Sequence, residues 1–173
     1  MPCSSNFFVT MHKILFVCLG NICRSPFAEA ALKHFVRQSG LQDSYIIDSA
    51  GIGGWHVGQR PDRRMVEAAW QRGYKMEHFG RQVCADDFLI FDMLIGMDDS
   101  NIDSLEQIAP SLEAKAKIRR MVDFVSDDFR KKHPNSVIDS VPDPYYGGTA
   151  GFYYAIDLIE DACQGLMLQL EKQ

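Results

Sequence analysis

The stretch HKILFVCLGNICRSPFAEAALKHF, His12 to Phe35, constrains the fold more than any other part of the chain. His12–Cys18 is a short apolar run with β-branched and aromatic residues, which reads as a buried strand. Apolar residues then recur at helical spacing, at Phe27, Ala31 and Phe35, with Gly40 as the stop. Ser25 and Pro26 suit an N-cap and a first helical residue. A buried strand running through a short loop into a helix opens a βαβ unit, and the rest of the chain keeps that rhythm.

Ser44–Gly51 reads as a second strand, followed by a Gly-rich loop with Trp55. Pro61 and Asp62 open a helix through Met65, Ala68 and Ala69 that stops near Gly73. Asp92–Met97 is a third strand, and Asp98–Ala109 has the acidic and Asn residues of a helix start. Ile118–Val125 reads as a fourth strand, and polar, Pro-bearing Ser126–Gly148 as a long loop. Phe152, Ala155, Ile156, Ile159, Cys163, Leu166 and Leu170 mark a last amphipathic helix. The fold class is therefore α/β, three layers with a parallel sheet between helices.

The 173 residues suit one domain over 11–173, with residues 1–10 as a flexible extension. A net charge of −5 argues against nucleic acid as partner. No apolar run is long enough for a membrane span, and the N-terminus lacks the apolar core of a secretion signal. The five cysteines are odd in number and irregular in spacing, which fits a reducing cytoplasm rather than a disulfide framework. No CxxC pair is present, so no structural metal is expected. Cys84 and Cys163 read as core, and Arg130, Lys131 and Lys132 as a solvated face.

The loop CLGNICR carries the chemistry. A tight turn entering a helix aims backbone N–H groups inward as an anion nest, and the helix N-terminus adds positive potential. Arg24 supplies a fork matched to phosphate. Gly20 permits close approach, and Asn21 tolerates a left-handed conformation. Cys18 in that field is expected to be a thiolate nucleophile, with Ser25 donating to it as it leaves. Such a set implies phosphoryl transfer through a cysteinyl-phosphate, with phosphate or another oxyanion as ligand. A general acid is then needed, and Asp143, set between two prolines, is the candidate. Tyr145 and Tyr146 beside it would wall a slot for a flat aromatic substrate.

The pieces FVCLGNICRSPFAEA, DSAGIGGWHVGQRPDRR, HFGRQV, DMLIGMDDSN and DPYYGG, in this order, resemble the low-molecular-weight protein tyrosine phosphatase family from Met11 onward. The resemblance implies a sheet of four parallel strands in the order 2-1-3-4, no cofactor, and hydrolysis of phosphotyrosine in proteins; separately, a monomer is expected. It implies Cys18 as nucleophile, Arg24 as clamp, and Asp143 as acid and then base. Asn21, Ser25, Ser49 and His78 would hold the loop in shape. Trp55, Tyr145 and Tyr146 would line the crevice, with Leu19, Ile22 and His56 nearby. Asp98 matches an acidic position by the phosphate loop, though it suits a helix cap equally. Cys23 would form a reversible disulfide with Cys18.

The chain departs from that pattern in its extension, in a longer Ser126–Ser140 connection expected to reshape the crevice wall, at Ile52 and Gly53, and at Arg63. Two alternatives stand beside this reading. An arsenate reductase of the same fold needs two further cysteines on a nearby segment, where only Cys84 stands. An inactive phosphate-binding protein would lack Cys18, Arg24 or Asp143.

Overall fold

β1 (His12–Cys18) runs through the middle of the sheet, because Ile14 to Cys18 are all buried and can face no solvent on either side. It pairs in parallel with β2 (Tyr45–Gly51) on one edge and β3 (Met93–Gly96) on the other, and β3 pairs with β4 (Ile118–Arg120). The order β2-β1-β3-β4 is the one the resemblance implied. This is a computed structural model, and it describes residues 10–172. The expected extension, apart from Thr10, lies outside them, as does Cys3.

The helices among the described residues are α1 (Arg24–Gln38), α2 (Arg63–Gln71), α3 (Asp87–Ile90), α4 (Asp99–Ile108), α5 (Leu112–Lys115), α6 (Asp127–Lys132) and α7 (Thr149–Leu170). Alternation along β1 divides the core. Ile14, Phe16 and Cys18 join a large cluster with α1, α2 and α7, while Leu15 and Val17 join a smaller one with Phe88, Leu105 and Ala114. The strand order reverses between β1 and β3, and ligand crevices of such sheets open there, beyond the strands' carboxyl ends. Cys18 ends β1, and Asp98 follows the end of β3.

Four expectations are corrected. α1 begins at Arg24 with Cys23 at the cap, so Ser25 is not the N-cap; its hydroxyl turns to Cys18 instead. Only Ile118–Arg120 pairs as a strand. Met121–Phe124 then tightens into a 3₁₀ turn whose Met121, Val122 and Phe124 pack beneath α7. A Cβ on Gly165 would stand 2.0 Å from the Phe124 carbonyl oxygen, so glycine is what lets α7 lie on that turn. The expected loop from Ser126 contains α6, capped by the Ser126 hydroxyl at 3.1 Å from the Phe129 N–H and anchored through buried Phe129. Cys84 is exposed rather than core. Within the charge run, Arg130 donates to the carbonyls of Ile138 and Val122, while Lys131 and Lys132 face solvent.

Candidate active site

The turn from β1 into α1 depends on one left-handed residue, Asn21, at φ 56°. Its amide is fully used. Nδ2 donates to Ser25 Oγ at 2.9 Å and Ser49 Oγ at 3.0 Å. Oδ1 accepts from the Arg81 backbone N–H at 3.0 Å and lies 2.7 Å from His78 Nε2. Glu29 closes the network: its Oε2 accepts from the Ser49 hydroxyl at 2.7 Å and faces His78 Nδ1 at 3.0 Å. Burial opposes ionisation of Glu29, but hydrogen bonds from His78 and Lys33 outweigh it and hold the carboxyl below its usual range.

The loop's carbonyls are tied outward. Those of Cys18 and Leu19 accept from the N–H groups of Ile52 and Gly53, that of Ile22 from Asp62, and that of Cys23 from Phe27. Gly20 lies against the His56 ring, whose Cδ2 is 3.2 Å from where a Cβ would stand. His56 is itself steadied by Gln59, 2.8 Å from its Nδ1.

Cys18 Sγ is 3.0 Å from Ser25 Oγ. Arg24, only 2 % exposed, reaches across to the far side of the crevice. Nη1 donates to Asp98 Oδ2 at 2.6 Å and to the Val141 carbonyl at 2.9 Å, and Nη2 donates to Asp143 Oδ2 at 3.1 Å. Burial disfavours the guanidinium charge, but Cys18, Asp98 and Asp143 around it raise its pKa further. Asp98 serves both expected roles: Oδ1 caps α4 at the Asn101 N–H, and Oδ2 takes Arg24. Burial works against its charge too, and bonds from Arg24, Ser100 and Asn101 overcome it to keep its pKa low.

Above this floor lies a cleft of about 280 Å³, lined by Cys18, Leu19, Gly20, Ile22, Cys23 and Arg24 below, Trp55 and His56 on one side, and Asp143, Tyr145 and Tyr146 on the other. The two tyrosine rings meet edge to face, with centroids 4.9 Å apart. Trp55 is 67 % exposed and lies over Gly53, where a Cβ would fall 1.8 Å from its Cζ3. No residue of Ser126–Ser140 is among those that line the cleft. Ser49, His78 and Asp98 sit behind or beside the loop rather than in the cleft.

A sequence profile for the low molecular weight phosphotyrosine protein phosphatases matches residues 13–173. The low molecular weight protein-tyrosine-phosphatase YfkJ of Bacillus subtilis is 39 % identical over 164 residues, covering 94 % of this chain and 98 % of that protein. The Schizosaccharomyces pombe low molecular weight phosphotyrosine protein phosphatase is 40 % identical, covering 81 % of this chain and 85 % of its own. A protein tyrosine phosphatase of Entamoeba histolytica, solved with Hepes in its active site, superposes with a TM-score of 0.85 at 43 % identity, covering 93 % of this chain and 97 % of that one. This chain belongs to the low molecular weight phosphotyrosine protein phosphatase family. It is thereby a hydrolase of the protein-tyrosine-phosphatase class.

Several residues that matter to this phosphatase carry no role in the sequence reading. Glu29 sits one helical turn beyond Ser25, an acid on an otherwise apolar face, which is the signal that could have found it. Arg81, inside HFGRQV, pairs with Asp48 at 2.8 Å and in a fork with Asp87, pinning its own segment beneath Asn21. Asp62, expected only to open α2, also binds Arg64 through both carboxylate oxygens. The sulfurs divide clearly. Burial pushes the Cys23 thiol well above the usual range, with Asp62 and Cys18 adding to it. Burial raises Cys163 as well, and its thiol is directed at the Ala28 carbonyl within the core.

Proposed function

We propose that this phosphatase hydrolyses phosphotyrosine in proteins, and aryl phosphates generally, through a cysteinyl-phosphate. The observation that carries the reading is Arg24, buried beside Cys18 at the cleft floor with Asp143 on its other side. Phosphate oxygens would be held by Arg24 and by the loop N–H groups that face inward when the carbonyls of Cys18, Leu19, Ile22 and Cys23 are tied outward. Cys18 Sγ attacks phosphorus in line as the ester P–O bond breaks, and Asp143 gives its proton to the leaving oxygen. Asp143 then takes a proton from a water that attacks phosphorus, the S–P bond breaks, and inorganic phosphate leaves. Ser25, 3.0 Å from Cys18, donates to the departing sulfur.

Trp55, His56, Tyr145 and Tyr146 all line the cleft, and aromatic walls of this kind suit a flat ring. A serine phosphate is too short to bring its phosphorus to the floor, so phosphotyrosine is the substrate class. The Cys18–Cys23 disulfide is part of the same reading: both cysteines are buried and free, and a peroxide would oxidise Cys18 to a sulfenic acid, whose S–O bond breaks as the Cys23 sulfur attacks and water leaves. A reducing compartment such as the cytoplasm fits these free thiols. Among the described residues no helix is long and apolar enough to cross a membrane. The arsenate reductase alternative is the weaker one, because Cys163 is sealed in the core and, among the described residues, only Cys84 is left outside the loop.

The test is hydrolysis of p-nitrophenyl phosphate with chelator and reductant present, comparing wild type with Cys18→Ser, followed by phosphotyrosine and phosphoserine peptides. Turnover by wild type alone, confined to the tyrosine peptide, is expected. Equal rates on both peptides would remove the reading of the cleft, and activity in Cys18→Ser would remove Cys18 as nucleophile.

A further inference from the structure

Arg64 stands in the first turn of α2, outside the cleft lining, yet its guanidinium is fixed in place. Nε donates to Asp62 Oδ1 at 3.0 Å and Nη2 to Asp62 Oδ2 at 2.8 Å. A forked pair of this kind sets the plane of the group. Two rings flank it: the central carbon is 5.0 Å from the Phe152 centroid and 5.3 Å from that of Tyr145. Phe152 is core, whereas Tyr145 lies on the exposed segment that carries Asp143.

Both ends of this arrangement reach the site. Asp62 caps α2, and its backbone N–H holds the Ile22 carbonyl of the phosphate loop at 2.8 Å. At the other end the Tyr145 backbone N–H donates to Asp143 Oδ1 at 3.1 Å. Ile22, Asp62, Arg64, Tyr145 and Asp143 thus form a continuous strut between the loop of the nucleophile and the carboxyl above it. Resting on the roles of Cys18 and Asp143 given above, we propose that Arg64 is a positioning residue: it anchors the Tyr145 ring to Phe152 and so fixes where Asp143 meets the leaving oxygen. A cation over an exposed ring is a weak contact, but proton transfer in the transition state is steep in distance and angle.

The experiment measures kcat/KM for p-nitrophenyl phosphate and phenyl phosphate in wild type, Arg64→Met, Arg64→Lys and Asp143→Ala, with inorganic phosphate as inhibitor and a thermal melt of each. Arg64→Met should lose about tenfold on phenyl phosphate and less than about twofold on p-nitrophenyl phosphate, whose leaving group needs little help from an acid. Arg64→Lys keeps a cation but not the fork and should fall between. Inhibition by phosphate should stay within about twofold, because Arg64 touches no part of the oxyanion cradle. An equal loss on both esters, no loss, or weakened phosphate inhibition overturns the proposal. If Arg64→Met does not fold, Arg64→Lys carries the same test on a smaller scale. Steep leaving-group dependence in Asp143→Ala with a flat profile in both Arg64 variants overturns the strut alone. A wild type inactive on aryl phosphates, or a flat Asp143→Ala profile, removes the site reading and the strut with it.

Discussion

Replacing Asn21 with alanine should lower stability by about 3–5 kcal/mol. The side chain is 1 % exposed and makes four contacts at hydrogen-bond distance. Ser25 and Ser49 lose a donor but keep other partners, so their share is small. The Arg81 N–H and His78 Nε2 lose the oxygen that both of them face, and an orphaned buried polar group costs ~1–3 kcal/mol. Alanine at φ 56° adds about 1 kcal/mol of backbone strain, because it lacks the polar side chain that offsets the left-handed conformation. A water entering the vacated space would return part of this loss. For a chain of this length the sum corresponds to a melting temperature lower by about 10–15 °C. Asn21→Gly separates the two contributions: it loses the same bonds without the strain and should melt about 3 °C above Asn21→Ala. Turnover of p-nitrophenyl phosphate should fall in both variants, since the cradle is held open by the same contacts. The assay is a thermal melt with a parallel kcat/KM. A glycine variant no more stable than the alanine one would refute the strain argument, and an alanine variant within about 1 kcal/mol of wild type would refute the network's energetic role.

Asp143→Ala should bind inorganic phosphate about fivefold more tightly, because Asp143 Oδ2 occupies the Arg24 Nη2 donor at 3.1 Å and a partly exposed charge pair is worth ~1 kcal/mol; unchanged or weaker competitive inhibition would count against that competition. Glu29 and Asp98 both have lowered pKa values in the folded state, so their stabilisation is full above their ordinary values of 4.5 and 3.8 and is lost as pH falls through the lowered ones. Melts from about pH 6 down to about pH 3 should show stability dropping at the acid end, with a shallower slope in Glu29→Gln. Gly53→Ala places a methyl where the Trp55 ring now lies, so the ring must turn away. KM for aryl phosphates should change by about threefold or more while kcat holds within about twofold; an unchanged KM would take Trp55 out of the crevice.

The legible parts of the fold are those decided within one element. Five consecutive buried residues in β1 leave little alternative to a central parallel strand, and the Cys18-to-Ser25 turn has to deliver the chain to the helix packed on it. Ile118–Val125 is a different case. Its residues suit a strand, but the observed turn at Met121–Phe124 depends on Gly165, far along the chain, which removes the side chain that would keep α7 away. α6 did have local signals: Ser126 as cap, acids at Asp127 and Asp128, and bases at Arg130, Lys131 and Lys132 in the last turn. The polarity of the stretch and the prolines beyond the helix, from Pro134 onward, mask them. The contact that anchors the cap, in which the Ser126 N–H donates to Asp161 Oδ2 at 2.7 Å, spans 35 positions.

The site divides along the same line. Cys18, Gly20, Asn21 and Arg24 lie within one turn, and their chemistry can be read there because a single loop suffices to aim a sulfur, a fork and a row of N–H groups. Holding that loop cannot be local. A left-handed residue buried at the end of a strand has to be gripped from outside, and the groups that grip Asn21 stand 4, 28, 57 and 60 positions away. The resemblance reaches Ser49 and His78, whereas for Glu29 the only local signal is an acid on an otherwise apolar face, and its partners appear only when the helix is docked. The consequence is a physical separation of roles. On the proposed mechanism Cys18→Ser leaves the grip on Asn21 intact, so fold and oxyanion binding should survive while turnover should not. A change at Glu29, Ser49 or His78 touches no reacting atom, yet it frees the one backbone conformation on which the cradle depends.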